Sequence, residues 1–403
     1  MNLDRVINLA DVRRLAKRRL PPMAFDFIEG GCDDEIGLRK NEAAFEAYQL
    51  LPRYLIDVSK FELATTLAGQ KFALPIGIAP TGAAGIFRHD GDRELARAAA
   101  AVNVPFVMSA NSNGSLEEAA AVAPQNTWFQ LYGLKDSAIT ADKVRRAADA
   151  GIKALVLSVD VPVSSNRERN RRNGFSLSLR GTPTMALQAL THPGWTMEYF
   201  RNGGLPPLKN YSPYAPSGAD ALTINNFFAT LFPAPSLTWS LLDDVRRLWP
   251  RTLFVKGLMH PDDAVRAVSG GADGIMVSNH GGRQLDRGPA PIDALPTIRA
   301  AVGDRAQITL DGGVRRGADV VTALCLGADA VFVGRPALYG AVVGGSAGVR
   351  KVFDILAAEL KMVLGQIGCA RAADLGPQFI VRWGHEASVV RDAKTTAMTL
   401  APP

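Results

Sequence analysis

At 403 residues, with 47% hydrophobic and 21% charged side chains, the chain has the composition of a soluble globular protein with a large core, and its length suits one α/β barrel with an insertion. The formal charge of +6 would suit nucleic acid, an anionic surface or an anionic small molecule, but no tract of arginines interleaves with aromatics, so nucleic acid is not expected as a partner. Three widely spaced cysteines, Cys32, Cys325 and Cys369, imply neither a disulfide framework nor a CxxC metal pair; no metal is expected, and a reducing cytoplasm fits.

The opening "MNLDRVINLADVRRLAKRRL" lacks the apolar centre of a secretory signal. It reads as a short amphipathic basic helix, capped near Asn8 and stopped by Pro21-Pro22. No run of about 18 apolar residues follows anywhere, so no membrane span is expected. Residues 1–74 are expected to form a helical segment packed on a barrel of residues 75–375, with 376–403 as a C-terminal tail.

Eight β-rich apolar runs then recur: "PIGIAP" (75–80), "PFVMSA" (105–110), "WFQLY" (128–132), "ALVLSVD" (154–160), "LFVKGL" (253–258), "GIMVSN" (274–279), "QITLDGG" (307–313) and "AVFVGR" (330–335). They lack polar alternation, the mark of strands covered on both faces. Helix-like stretches such as "GDRELARAAAAV" and "DAVRAVSGG" separate them. This alternation predicts an α/β fold, a (β/α)₈ TIM barrel, with a doubly wound open sheet as the competing topology.

Between the fourth and fifth runs the spacing jumps to roughly a hundred residues, too long for a plain loop. The excess, about residues 176–240, holds "HPGWTMEYFRNGGLPPLKNYSPYAPSG" and then "NNFFATLFPAP". A lid, an oligomer contact and a membrane-surface patch all remain open for it. On the enzyme reading, removing residues 178–235 is expected to spare turnover with a soluble dye while abolishing membrane attachment.

Reactive groups of parallel barrels sit at the strands' C-terminal ends. Here those ends carry Pro80, Thr81 and Gly82; Ser109; Gln130 and Tyr132; Ser158 and Asp160, with Arg167 soon after; Lys256; His280 and Arg283; Asp311 and Arg315; and Gly334 with Arg335. "DGGVRRGAD" and "VGRPALYG" place glycines and arginines after the last two strands, where backbone N–H groups and guanidiniums suit a phosphate. His280 can take a proton near neutrality, Arg283 can grip a carboxylate, and Asp160 can orient the imidazole. Lys256, inside "LFVKGL", would stabilise negative charge developing on an electron-accepting ring. Together these groups point to oxidation of an anionic 2-hydroxy acid over a phosphate-anchored aromatic cofactor. A barrel that binds phosphorylated ligands without redox chemistry is the alternative from another class, and a peripheral membrane scaffold a further one.

The stretch "SNHGGRQLD", with "WFQLY", "VKG" and "DGGVRRG…VGR" in the same order, resembles the FMN-dependent L-2-hydroxy acid oxidase and dehydrogenase family from about Leu9 to Ala373. "APTG", "THPGW" and the insertion length resemble its mandelate- and membrane-associated lactate-oxidising members. The resemblance implies FMN as cofactor, His280 as base paired with Asp160, Arg167 and Arg283 on the substrate carboxylate, and Tyr132 hydrogen-bonded to substrate. It implies Lys256 beside the flavin N1/O2 edge. Pro80, Thr81, Gly82, Ser109, Gln130 and Ser158 would contact the ring; Asp311, Gly312, Gly313, Arg315, Gly334 and Arg335 would hold the ribityl phosphate. Phe27 in "FDFIEGG" stands where the family usually has a carboxylate-binding tyrosine, which favours a larger or aromatic substituent such as that of mandelate, with L-lactate the alternative. Gly82, where fast oxygen-reducing members tend to carry alanine, favours a quinone or another carrier as electron acceptor. A homo-oligomer, a tetramer, is expected, in the cytoplasm or on the inner face of the cell membrane through residues 176–240.

Overall fold

The computed structural model describes residues 3–174 and 183–382. Eight parallel strands close into a barrel: β1 (Ile76–Ile78), β2 (Phe106–Met108), β3 (Thr127–Tyr132), β4 (Ala154–Ser158), β5 (Thr252–Leu258), β6 (Gly274–Val277), β7 (Gln307–Asp311) and β8 (Ala330–Val333). Each pairs with its neighbours in sequence, and β8 returns to β1. All eight predicted runs are therefore strands, and the closed ring excludes the open sheet. Nearly every strand residue is buried, as expected when side chains face a filled interior on one side and helices on the other. Trp128, Val156, Phe254, Met276 and Phe332 fill that interior, with Trp128 5.2 Å from Phe254 and 5.8 Å from Phe332 between ring centroids.

The N-terminal segment is only partly helical. Helix Leu9–Arg19 starts where the sequence predicts, with the Asn8 side chain accepting from the Asp11 N–H, and Pro22 opens the next helix, Pro22–Glu29. Further on, Thr65–Leu67 and Gln70–Phe72 form an antiparallel hairpin whose Leu67 and Phe72 close the N-terminal end of the barrel. That leaves the opposite end for a site. Strand Ile380–Arg382 pairs antiparallel with Tyr48–Leu50, tying the start of the expected tail to the N-terminal segment; residues 383–403 lie outside the described residues.

Residues 176–182 of the insertion also lie outside the described residues. The rest forms helices Pro183–Leu190, Pro193–Arg201 and Ala221–Leu231. Its later part docks on the barrel through a second apolar cluster of Leu134, Ile139, Leu208, Tyr211, Ile224, Phe228 and Leu231. Lys143 Nζ lies 3.0 Å from the centroid of the Tyr211 ring at the same seam, and burial pushes its pKa well below the ordinary lysine value. Among the described residues, no helix is long and apolar enough to cross a membrane.

Candidate active site

A cavity of about 430 Å³ opens at the C-terminal ends of the strands. Phe27, Pro80, Thr81, Gly82, Ser109, Tyr132, Arg167, Lys256, His280, Arg283, Asp311, Gly312, Gly313, Arg315, Gly334 and Arg335 all line it. Asp160, Gln130 and Ser158 stand behind the wall rather than on it.

Past β6 the chain turns sharply. His280, Gly281 and Gly282 all take positive φ (57°, 64° and 73°), a conformation costly for a histidine and held here by its backbone N–H donating to Ser278 Oγ at 3.1 Å. A side chain at Gly282 would put its Cβ 2.5 Å from the Leu38 nitrogen, so this close approach admits only glycine. The turn sets His280 Nδ1 at 3.0 Å from both carboxylate oxygens of Asp160. An ionised carboxylate only accepts, so Nδ1 carries the proton and Nε2 keeps its lone pair. Gly257, at φ 100°, makes room for this pair: a Cβ there would lie 2.4 Å from that of Asp160.

Burial pushes the His280 imidazole below its ordinary pKa; Asp160 opposes the shift without cancelling it, so the ring is neutral at neutral pH. Burial raises the Asp160 carboxyl, but His280 and Lys256 more than offset it and hold it low. Lys256 Nζ sits 3.2 Å from Asp311 Oδ2 and 3.9 Å from Asp160 Oδ2, and donates to Ser278 Oγ at 2.7 Å. Desolvation disfavours its charge; the two carboxylates overcome this and keep it an ammonium.

Ser278 also donates to Asp311 Oδ1 at 2.5 Å, so one hydroxyl links base turn, lysine and aspartate. Its role is invisible in sequence, although it opens the "SNHGG" motif. Asp311 lines the cavity beside Gly312 and Gly313, and its carboxylate faces Lys256 and Ser278.

Gly312 and Gly313 have φ of 102° and 92°, and a Cβ on Gly313 would lie 1.9 Å from the Asn41 carbonyl oxygen. Arg315 beside them pairs with Glu42 at 2.8 Å. Arg335 donates to the carbonyls of Ile28, Gly281 and Gly30 at 3.0–3.1 Å. Arg283 Nη1 donates to the carbonyls of Phe27 and Gly30, both at 2.8 Å, and its guanidinium lies 5.3 Å from the Phe27 ring centroid. Arg167 donates to Ser165 and Gln284. These last three guanidiniums bond to neutral acceptors, and burial lowers the pKa of each. Their uncompensated positive charge makes the cavity a site for anions.

Two residues missed in the sequence complete the wall. Phe228 and Phe232 from the insertion line the cavity, with the Phe232 ring 4.5 Å from Tyr132 and 5.5 Å from Phe228. Their four-residue spacing in "NNFFATLFPAP" was the available signal; in the structure Phe228 lies on helix Ala221–Leu231 and Phe232 caps its end. Deleting residues 178–235 would remove this part of the pocket wall, which bears against the expectation that turnover with a soluble dye survives the deletion.

Residues 16–382 match the FMN-dependent dehydrogenase family. The chain belongs to that family. It is 44% identical to the L-lactate oxidase of Nostoc sp. over 378 residues, which cover 93% of this chain and 98% of that protein. To the (S)-mandelate dehydrogenase of Pseudomonas putida it is 38% identical over 379 residues, covering 94% and 95%. The crystal structure of the monotopic membrane protein (S)-mandelate dehydrogenase superposes with a TM-score of 0.90 at 37% identity, over 94% of this chain and all of that one. The protein is thus an FMN-dependent oxidoreductase of the 2-hydroxy acid dehydrogenase and oxidase group.

The cavity fits FMN. Thr81 Oγ1, on the cavity wall, is buried without a hydrogen-bond partner among the described residues, as expected of a group that would meet the heteroatom edge of a ring, and directly behind the wall Gln130 Nε2 and Ser158 Oγ are unpartnered as well. Lys256 supplies the adjacent cation. The glycine turn at 312–313 with Arg315, and Gly334 with Arg335, would hold the phosphate.

Proposed function

We propose that the protein oxidises an (S)-2-hydroxy acid with an aromatic substituent, mandelate or a close analogue, to the 2-oxo acid. The observation that carries the substituent is the wall of Phe27, Tyr132, Phe228 and Phe232 on the same cavity as Arg167 and Arg283. An apolar aromatic box beside two guanidiniums suits a planar ring joined to a carboxylate. FMN, when bound, accepts the two electrons of the oxidation. His280 Nε2 takes a proton from the substrate while Asp160 stabilises the imidazolium that results. Arg167 and Arg283 bind the carboxylate, Tyr132 hydrogen-bonds the substrate, and Lys256 keeps a positive charge beside the flavin.

Steady-state comparison tests the substituent: kcat/KM for mandelate is expected to exceed that for L-lactate, and a strong lactate preference would overturn the reading. For the acceptor, Gly82 supports a quinone or another carrier. A Cβ at this position would lie 3.1 Å from the Asn111 carbonyl oxygen, so the residue's size is coupled to the packing of the cavity wall. Reoxidation of the reduced enzyme faster by a soluble quinone than by air is the expected result.

We further infer that the insertion meets a membrane surface. Leu187 and Leu190 on one helix, and Met197 and Phe200 on the next, are exposed at three-residue spacing, and the relative described above is monotopic. Co-flotation with phospholipid vesicles, lost on Leu190→Lys with Phe200→Lys, checks this; flotation unaffected by both changes would contradict it.

A further inference from the structure

Arg167 and Arg283 reach the cavity from different loops, and the residue after Arg283 joins the first of them to the base. The Gln284 side chain accepts at Oε1 from Arg167 Nη2 at 3.1 Å, and its Nε2 donates to the backbone carbonyl of Asp160 at 3.4 Å. Arg167 Nε donates to Ser165 Oγ at 3.2 Å, so two of its three nitrogens are held by uncharged oxygens, on a residue that faces the cavity. Asp160 in turn grips His280. One amide therefore spans from a carboxylate-binding guanidinium to the peptide that carries the partner of the base.

We propose that Gln284 is a positioning residue that sets the carboxylate clamp against the proton-accepting nitrogen, and that it must be neutral to do so. This rests on the 2-hydroxy acid reading of the site. The carboxylate and the hydroxyl of one small molecule must meet Arg167 and His280 together, and a loosened Arg167 grips the carboxylate more weakly in ground and transition states alike, which raises KM more than it lowers kcat. The flanking loop is fastened separately: the Asn166 carbonyl accepts from the Asp33 N–H at 2.9 Å, and Arg169 pairs with Glu35. Loss of the amide therefore frees the Arg167 side chain rather than the loop.

Neutrality has its own reason. A carboxylate at 284 would form a charge-assisted pair with Arg167, satisfying the guanidinium before substrate arrives and repelling the substrate's anion. An amide gives the guanidinium a fixed acceptor and leaves its charge uncompensated. The glutamine side chain has the same length as glutamate, so Gln284→Glu changes charge while keeping shape.

The test uses purified holoenzyme of the wild type, Gln284→Leu and Gln284→Glu, with flavin content measured by absorbance and turnover measured on mandelate and on its uncharged amide. For Gln284→Leu, KM for mandelate is expected to rise about tenfold while kcat changes less, and the pH at which activity falls stays with that of the wild type. For Gln284→Glu, the ratio of kcat/KM for the acid to that for the amide is expected to fall about tenfold or more. A merely structural role would lower acid and amide together and leave the ratio unchanged, which overturns the proposal. An unchanged KM in Gln284→Leu overturns it as well. If Gln284→Leu fails to retain flavin, the isosteric Gln284→Glu still carries the test. A wild type whose flavin no 2-hydroxy acid bleaches would sink the functional reading instead.

Discussion

His280 and Lys256, with Asp160 behind them, are set by hydrogen-bonded parallel strands and the turns that follow them, whereas Phe228 and Phe232 reach the cavity from an insertion docked on the barrel's flank. The first group forms a closed electrostatic circuit, each member holding another through Ser278, Asp160 or Asp311. The second makes ring contacts at 4.5–5.5 Å and is positioned by shape. On the proposed function the contrast is a division of labour: the groups assigned to the reaction stand on the rigid ring, while the rings assigned to the substituent stand on an added element packed against it.

If that division holds, the largest effect comes from the base. His280→Ala is expected to leave FMN bound and to slow anaerobic flavin reduction by roughly 10²–10⁴-fold. Near-normal reduction, followed in a stopped-flow instrument, would remove His280 from its role. Lys256→Met comes next. It leaves Asp311 buried without its cation, at a cost of about 3–5 kcal/mol in thermal unfolding, and it slows flavin reduction by removing the charge beside the ring. Unfolding at the wild-type temperature with unchanged reduction kinetics would show that the circuit is not one unit.

The insertion should respond differently. Phe232→Ala is expected to cut the preference for mandelate over L-lactate by about 10- to 200-fold, mainly through the aromatic acid, while the maximal rate on lactate moves little. An equal loss on both acids would mean that the insertion supports the reacting groups as well, and the distinction between the two regions would collapse.

The same distinction explains what could be read from the sequence. Continuous apolar runs ending in polar residues mark barrel strands and their reactive ends, because burial on both faces and exposure at one end leave local traces; His280, Lys256 and the glycine turn at 312–313 were legible for that reason. Gln284 and Ser278 lay in view within "SNHGGRQLD", yet their jobs depend on partners 117 and 33 residues distant, Arg167 and Asp311. The turn that carries Asp311 was legible too, but the pairing of its carboxylate with Lys256 was not, since that depends on tertiary contact. Phe228 and Phe232 looked like any buried apolar pair, and only the docking of the insertion turns them into a pocket wall. The hairpin at 65–72 escaped the helical reading of the N-terminal segment because its strands are three residues each, too short to show a period.

The smallest expected effect bears on the electrostatic circuit alone. In the wild type, activity should fall as pH drops through the His280 pKa, because an imidazolium cannot accept the substrate proton. Burial places that limb below the ordinary imidazole value of about 6.5. Asp160 raises the His280 pKa against that burial, so Asp160→Asn withdraws a stabilising negative charge and should move the acid limb lower still, by about one pH unit, while lowering the plateau because the imidazolium formed in the reaction loses its counter-charge. Asn can still accept from Nδ1 through its amide oxygen, which keeps the ring's orientation, while its NH2 group can instead donate to Nδ1 and move the proton to Nε2, which lowers the plateau further. A limb that stays in place while the plateau falls would mean that Asp160 orients the ring without setting its proton affinity, and the circuit would then run through Lys256 and Asp311 alone; a limb that moves upward would contradict the assigned sign outright.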